Sequence, residues 1–471
     1  MKKCLLFCTL TVTLIVFLFS ETLPAQSTFY KKYDFPGDDF GKYVIQTSDG
    51  GYAVVGTTNS RGAGGYDVLL IVTDANGDSL WTKTYGETGN DEGYCLIQTG
   101  DGGFIITATK DVPGKYGDGW VFKTDAEGEI VWEYLFGTNL GGESASSIVE
   151  TGDNAYLVSG TLNTKSYLLK IDGEGNVLWE QSYFPAKNSG TSSICKIDDN
   201  LYAVAGAFQM SSGGVWYPNM FTVDAGGNLG YQLTYSFFGG GSFNFIINAS
   251  DGNMIFGGQE AGQNVLYKIS SNGLEVWNYK YDSQLNSGIQ SATRTSDNNI
   301  VIADNSFYAS IRKVDNSTGD TLWTRTSYLG TEYPKYTGIT TTSDNGLIIT
   351  GYTDGHDVIL VKTMQNGSME GVGDNRKANN GIVLNNSYPN PFVNNTGISF
   401  KLEHLHTVKL FITDNKYKPV CNLVNKPLSP GEYKYYWDGK TKNGADCPAG
   451  IYYLILKTEG GIAGVKKLIK M

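Results

Sequence analysis

Asp67–Gly86 reads D-V-L-L-I-V-T-D-A-N-G-D-S-L-W-T-K-T-Y-G, and after a polar loop Tyr94–Phe104 reads Y-C-L-I-Q-T-G-D-G-G-F. Val68–Thr73 is a short apolar, β-branched strand, and Asp74-Ala-Asn-Gly77 is a turn whose Gly tolerates positive φ. Leu80–Tyr85 alternates as a half-buried strand with Trp81 as its large packing residue. Tyr94–Thr99 is a third strand, and Asp101-Gly102-Gly103 is a hairpin turn whose twist suits paired strands.

The unit recurs. Its acidic turn residue returns at Asp49, Asp101, Asp153, Asp199, Asp251, Asp297 and Asp344, with spacings of 52, 52, 46, 52, 46 and 47. The aromatic of the preceding strand gives Tyr30, Trp81, Trp132, Trp179, Tyr231, Trp277 and Trp323, spaced by 51, 51, 47, 52, 46 and 46. Two rulers count seven copies of a four-stranded unit, which predicts an all-β chain with a seven-bladed β-propeller over residues 26–364. The repeats begin on an aromatic strand (Phe29–Phe35) and end on the strand that normally precedes one (Asp357–Lys362). The first strand should therefore complete the last blade, which closes the ring and removes an exposed edge.

Composition agrees. Sixty Gly and 31 Tyr with only 18% charged residues suit short strands joined by tight turns. A net charge of −11 argues against nucleic acid, which needs clustered Lys and Arg. Residues 1–25 have the parts of a secretory signal: Lys2-Lys3, the apolar Leu5–Phe19, and Leu23-Pro24-Ala25 as the cleavage end. No later segment approaches the roughly 18 apolar residues of a spanning helix, so the expectation is export without a permanent transmembrane anchor. Of six Cys, the four after the signal (Cys95, Cys195, Cys421 and Cys447) are too few for a disulfide scaffold. Cys421 and Cys447 could pair; Cys95 and Cys195 read as buried thiols.

The D-G-G and D-x-x-G turns fall on one face of the ring and are uniform. The other face collects longer loops that differ from blade to blade, the pattern of a binding face on a rigid ring. Its candidate ligand contacts are Tyr116, Trp216, Tyr217, Phe237, Phe238, Tyr333 and Tyr336, aromatics suited to sugar rings or apolar side chains. The competing explanation is that such rings fill space between blades. Asp39, Asp91 and Glu143 stand at equivalent entries to three adjacent inner strands, near the mouth of the channel. Hard oxygen ligands so placed would suit Ca²⁺; solvated acids are the alternative, and no other cofactor is expected. Asp74-Ala-Asn-Gly-Asp78 has calcium-loop spacing but lacks the distal Glu, which favours turn chemistry.

His356 is the single histidine of the repeats, with His404 and His406 beyond them, so a Ser-His-Asp set or a multi-His zinc site is not expected. A carboxylate-dependent, polysaccharide-acting enzyme needs only two acids, and Glu143, Glu260 and Glu332 lie outside the repeat consensus. Nothing pairs them, so no catalytic residue is assigned. The reading favours a non-catalytic propeller binding glycan or protein, over an enzyme or a purely structural surface protein.

Two resemblances follow from particular motifs. D-A-N-G-D-S-L-W, D-A-E-G-E-I-V-W, D-G-E-G-N-V-L-W and D-N-S-T-G-D-T-L-W resemble the tryptophan-docking repeat of quinoprotein-like propellers. That implies a fold and carries over no quinone site. The S-D-G-G-Y and G-D-G-G-F turns resemble repeats of secreted bacterial propellers. Beyond a polar linker (365–384), residues 385–471 carry S-Y-P-N-P-F (387–392), V-K-L-F-I (408–412), L-S-P-G-E-Y-K-Y-Y-W-D-G-K (428–440), P-A-G-I-Y-Y (448–453) and a basic K-K-L-I-K-M end. They resemble the C-terminal sorting domain of type nine secretion substrates, similar to the immunoglobulin-like domain of flagellar hook-capping proteins. The resemblance implies a small immunoglobulin-like β-sandwich, recognition by the type nine translocon, and passage through the periplasm to the outer surface or medium. Gly450, Tyr452, Lys466 and Lys467 correspond to the end of that signal. V-N-N-T departs from the pattern, where a second Pro is frequent.

Overall fold

The computed structural model describes residues 28–471 except 115–116, 139–141, 185–187, 210–213, 236–239, 250, 282–287, 306–308, 327–333, 370–381, 386, 403, 415–417 and 459–460. The expected signal segment therefore lies outside the described residues.

Among the described residues, seven four-stranded antiparallel sheets follow one another between Phe29 and Thr363. The first is Asp39–Gln46, Tyr52–Thr58, Asp67–Thr73 and Ser79–Tyr85, a meander from innermost to outermost strand. In the seventh, Lys335–Thr341, Leu347–Tyr352 and Val358–Thr363 are completed by Phe29–Tyr33 from the start of the chain, as the phase of the repeat predicted. Each innermost strand packs on the next, and Asp39–Gln46 packs on Lys335–Thr341 and Leu347–Tyr352, so the circuit returns on itself. The fold is a β-propeller.

Its stability is distributed between sheets. Each neighbouring pair shares a separate apolar core, such as Val55, Val68, Leu96 and Phe104 between the first two. Val44, Val54, Leu69, Ile348, Val358 and Leu360 fill the junction between the seventh and the first. Strands between two such cores are buried on both faces, which is why Asp67–Thr73 reads as an unbroken apolar run after its Asp. Most innermost strands carry a bulge at the same place (Gly41/Tyr43, Gly93/Cys95, Ala145/Ser147), the twist-raising irregularity expected near an axis.

The outer aromatics dock on the following sheet. Gly128, Gly175, Gly227, Gly273, Gly319 and Gly367 all have positive φ, and a Cβ on any of them would strike Trp81, Trp132, Trp179, Tyr231, Trp277 or Trp323 respectively at 2.7–3.0 Å. The ring nitrogens complete the contact: Trp132, Trp179 and Trp277 donate to the carbonyls of Gly173, Ala225 and Asn316 at 3.0–3.1 Å. One position of the sequence ruler is corrected. At the closing junction the residue over Gly77 is Phe29, not Tyr30, because Phe29 pairs with Lys362 as Trp132 pairs with Lys123.

The expected linker is shorter than 365–384. Met364 and Ser368 close a last turn, Gly367 receives Trp323, and Met369 packs in the core between the sixth and seventh sheets. At its other end Ile382–Leu384 is already a strand. Beyond it a three-stranded sheet and a four-stranded sheet face one core that includes Phe400, Trp437, Leu410, Leu454 and Leu468. The S-Y-P-N-P-F segment holds the final strand: Ile469 donates to Asn390 Oδ1 at 2.8 Å, and Phe392 N–H to the Ile469 carbonyl at 2.9 Å. Both of its prolyl bonds, Tyr388–Pro389 and Asn390–Pro391, are cis.

Candidate functional site

The two faces of the ring differ in chemistry. On the turn face the same device repeats: a Thr at the end of the innermost strand donates to an Asp two residues on, at 2.5–2.6 Å for Thr47–Asp49, Thr295–Asp297 and Thr342–Asp344. A Lys from the third strand meets that Asp. Lys170, Lys268, Lys313 and Lys362 are all buried, reaching Asp153, Asp251, Asp297 and Asp344 at 2.5–2.9 Å. These bonds hold the carboxyl groups of Asp101 and Asp153 down to about 2, with Lys123 and Lys170 as the largest causes. The Asp74–Asp78 segment is turn chemistry too, since Asp74 Oδ1 accepts from the N–H groups of Asn76 and Asp78 while Asp78 pairs with Lys31 at 2.6 Å. A hollow of about 280 Å³ beside Arg294, Ser296, Asn298 and Asn345 interrupts this face. It arises where Thr341 replaces the Gln that elsewhere caps a neighbouring turn, as Gln98 accepts from Ser48 N–H and Gln46 from Ser343 N–H.

The opposite face is laced by backbone and acids. A residue at or just before the start of an innermost strand donates its N–H to the carbonyl just before the third strand of the preceding sheet: Asp39 to His356, Asp91 to Tyr66 and Ser189 to Thr164, at 2.6–2.8 Å. Asp39, Asp91 and Glu143, expected as carboxylates near the channel mouth, are not solvated. All three are buried, at 0%, 0% and 2% exposure. Asp91 accepts from the N–H groups of Glu87 and Asp111 at 2.8 Å, Glu143 from Thr138 Oγ1 at 2.6 Å, and Asp39 from Ser60 Oγ at 2.6 Å. They latch loops. Among the described residues no group of three or more His, Cys, Asp or Glu is placed to hold a metal, so the three are not brought together as a Ca²⁺ site.

Asp67, unremarked in the sequence reading, belongs to the same latch system. It accepts from Ala63 N–H at 3.1 Å, and a Cβ on Gly86 would lie 2.5 Å from its Oδ1 and 2.3 Å from Asp91 Oδ2. Burial pushes the carboxyl groups of both Asp67 and Asp91 up, and Asp91 adds repulsion at Asp67.

Of the aromatic candidates, Trp216 is exposed (42%) and Tyr217 half-buried at the start of the strand Trp216–Asp224, beside exposed Val215. Tyr336 is a correction. It lies inside the strand Lys335–Thr341 at 1% exposure, in the core between the sixth and seventh sheets, because the strand already begins at Lys335 and its alternation turns Tyr336, paired with Gly351, inward. Tyr116, Phe237, Phe238 and Tyr333 lie outside the described residues, as does Glu332. Glu143 and Glu260 sit in the third and fifth sheets with the fourth between them, and Glu260 is committed to Tyr267 (2.8 Å) and Lys280 (3.0 Å). The structure does not pair them.

Sequence reasoning missed a group of half-buried rings where the last sheet meets the first. Phe40 lies 4.9 Å from Tyr352, 5.0 Å from His356 and 6.4 Å from Tyr66, centroid to centroid. Asp38 sits among them, 2.7 Å from His356 Nδ1 and 3.3 Å from the Tyr66 hydroxyl. The His356 bond, above all, lowers its carboxyl pKa. The only sequence cue was phase, since these residues come from opposite ends of the repeats.

In the C-terminal unit Tyr452 is a core residue at 6% exposure, 5.0 Å from the Trp437 ring, with its hydroxyl donating to the Pro448 carbonyl at 2.7 Å. Gly450 opens the strand Gly450–Thr458, and Lys466 and Lys467 lie in Gly461–Lys470. Cys421 and Cys447 are both free thiols here, as are Cys95 and Cys195.

Residues 32–213 match the family described as outer membrane protein assembly factor BamB. Over that span the repeats are similar to those of quinoprotein-like propellers. Among solved structures, the Dos1 propeller is similar at 12% identity over 73% of this chain and 98% of that one, with a TM-score of 0.47. Virginiamycin B lyase from Staphylococcus aureus, a catalytically inactive form with quinupristin, gives 12%, 72%, 100% and 0.45. BamB from Moraxella catarrhalis gives 12%, 72%, 98% and 0.39. No curated protein matches the sequence.

Proposed function

We propose that the protein is an exported recognition module: a seven-bladed propeller that binds glycan or protein through its loop-rich face, followed by an immunoglobulin-like sorting domain. The observation that carries this reading is the contrast between faces. On the turn face Thr, Asp and Lys saturate one another in repeat after repeat, whereas the loop face leaves Val215 and Trp216 exposed and gathers rings around Asp38. A repeated, self-satisfied face is scaffold; an irregular aromatic one offers contact. The separation of Glu143 from Glu260 favours binding over carboxylate catalysis. The match to an outer membrane assembly factor supports the protein-binding or scaffold form of the reading.

Export rests on the signal-like residues 1–25, and the type nine route on the ordered motifs of residues 387–471. The destination is the outer surface or the medium, with the type nine translocon as first partner. The test passes the purified protein over immobilised polysaccharides and outer-surface protein extracts, scoring retention and released reducing ends. Retention without release is the expected result; released ends would replace this reading with a polysaccharide-acting enzyme.

A further inference from the structure

The ring cluster at the closing junction is a departure from the repeat. At the position of Phe40, the second to fifth and the seventh sheets have Glu92, Ser144, Gly190, Ser242 and Lys335, judged by register. At the position of Tyr352, the first five sheets have Thr57, Thr109, Thr161, Ala207 and Gln259. The two aromatics therefore replace small or polar residues only where the last and first sheets adjoin, and they meet edge to face at 85°. Ring closure does not require them, since the other junctions form without them.

The polar partners are equally local. His356 and Tyr66 hold equivalent places, each giving its carbonyl to the next innermost strand. His356 takes a left-handed φ of 61°, which side chains with a Cβ seldom adopt. Both grip Asp38, whose side chain is nevertheless 42% exposed, while that of His356 is 45% exposed. The ionised carboxylate has about four acceptor positions. His356, Tyr66 and Asn59 (3.4 Å) take three. One acceptor position remains, and in the same ring cluster the Tyr352 hydroxyl has no hydrogen-bond partner among the described residues.

We propose that this junction is a carbohydrate subsite. A pyranose presents an apolar C–H face and a rim of hydroxyl groups. The C–H face would rest on Phe40 and Tyr352, one hydroxyl would donate to Asp38, and a neighbouring hydroxyl would bond the Tyr352 hydroxyl. The inference rests on the recognition reading and narrows its ligand to a sugar at a named place.

The test uses the full chain in affinity electrophoresis through laminarin, xylan, galactomannan and dextran. Asp38→Asn and Tyr352→Phe are the informative variants because each preserves shape, and Glu174→Gln, at an exposed position in the Asp172–Asn176 turn of the opposite face, is the control. The expected result is retardation of the wild type by at least one polysaccharide, about tenfold weaker in Asp38→Asn, as for loss of a charge-assisted hydrogen bond, and unchanged in Glu174→Gln. Equal retardation of wild type, Asp38→Asn and Tyr352→Phe would overturn this site and leave the recognition reading standing. A wild type retarded by none of the four would overturn the carbohydrate assignment, with retention on protein extracts then deciding the broader reading separately.

Discussion

His356 Nδ1 lies 2.7 Å from Asp38 Oδ1, joining residues 318 apart in the chain. It is one of several bonds by which the last repeat holds the first. Lys32 reaches Asp357 at 3.1 Å, and Thr337 and Thr340 donate to the carbonyls of Gly41 and Val44 at 2.7 and 3.0 Å. The sign of its pH dependence follows from Asp38, whose folded carboxyl is depressed, chiefly by His356. Its contribution is complete above the unfolded value of about 3.9 and is lost as pH falls through the lower folded value. We expect Asp38→Asn to melt slightly below the wild type at pH 6 and to coincide with it near pH 3. Thermal melts across that range would refute the assignment if the gap were constant.

Phe29 and Tyr30 separate two registers of the closing strand. Phe29 is 9% exposed and covers Gly77, whereas Tyr30 is only partly buried. Phe29→Ala should cost about 3 kcal/mol, the lower end for a buried Phe, and Tyr30→Ala about half of that. Urea unfolding of the two variants reads the difference; a larger loss at Tyr30 would restore the register inferred from spacing.

How far the sequence spoke can be judged from the same residues. The seven-fold period was legible because its markers are short motifs: each D-x-x-G turn carries the Gly that receives a ring, and the outermost strand of the preceding sheet supplies that ring. The slip from Phe29 to Tyr30 occurred where two aromatics adjoin, and only pairing with Lys362 tells them apart. Asp39, Asp91 and Glu143 recur at one place in the repeat, yet spacing carries no information on depth, and backbone and hydroxyl donors of the loops hold all three inward. Tyr336 was expected on a loop, but the strand begins at Lys335, so its ring follows the strand's alternation into the core. Asp38 and His356 had no local signal at all. They meet only after the ring closes.

On the turn face, Asp153 is held at about 2 chiefly by Lys170, which is itself 5% exposed. A depressed carboxyl stabilises the fold above its unfolded value and ceases to do so as pH falls toward 2. The wild type should therefore keep its melting temperature down to about pH 4 and lose it steeply below. Lys170→Met returns the Asp153 carboxyl upward and leaves an acid beside apolar surface, so acid unfolding should begin at higher pH, with a loss of about 1–2 kcal/mol at neutrality. Equal acid midpoints for the two proteins would remove Lys170 from the account.

Cys95 and Cys195 give the most direct check on how the sheets pack. Both are buried between sheets, and burial pushes the Cys95 thiol up to about 11 and raises that of Cys195 as well. The thiolate is the reactive species, so neither should react with iodoacetamide at pH 8 in the folded protein. Cys421 is half-exposed and should label first, while Cys447, at 5% exposure in the C-terminal core, should label slowly. In urea all four should react at comparable rates. Peptide mapping by mass spectrometry distinguishes the sites. Rapid native labelling of Cys195 would mean that the fourth and fifth sheets do not close over it, and the continuous series of inter-sheet cores would be broken at that junction.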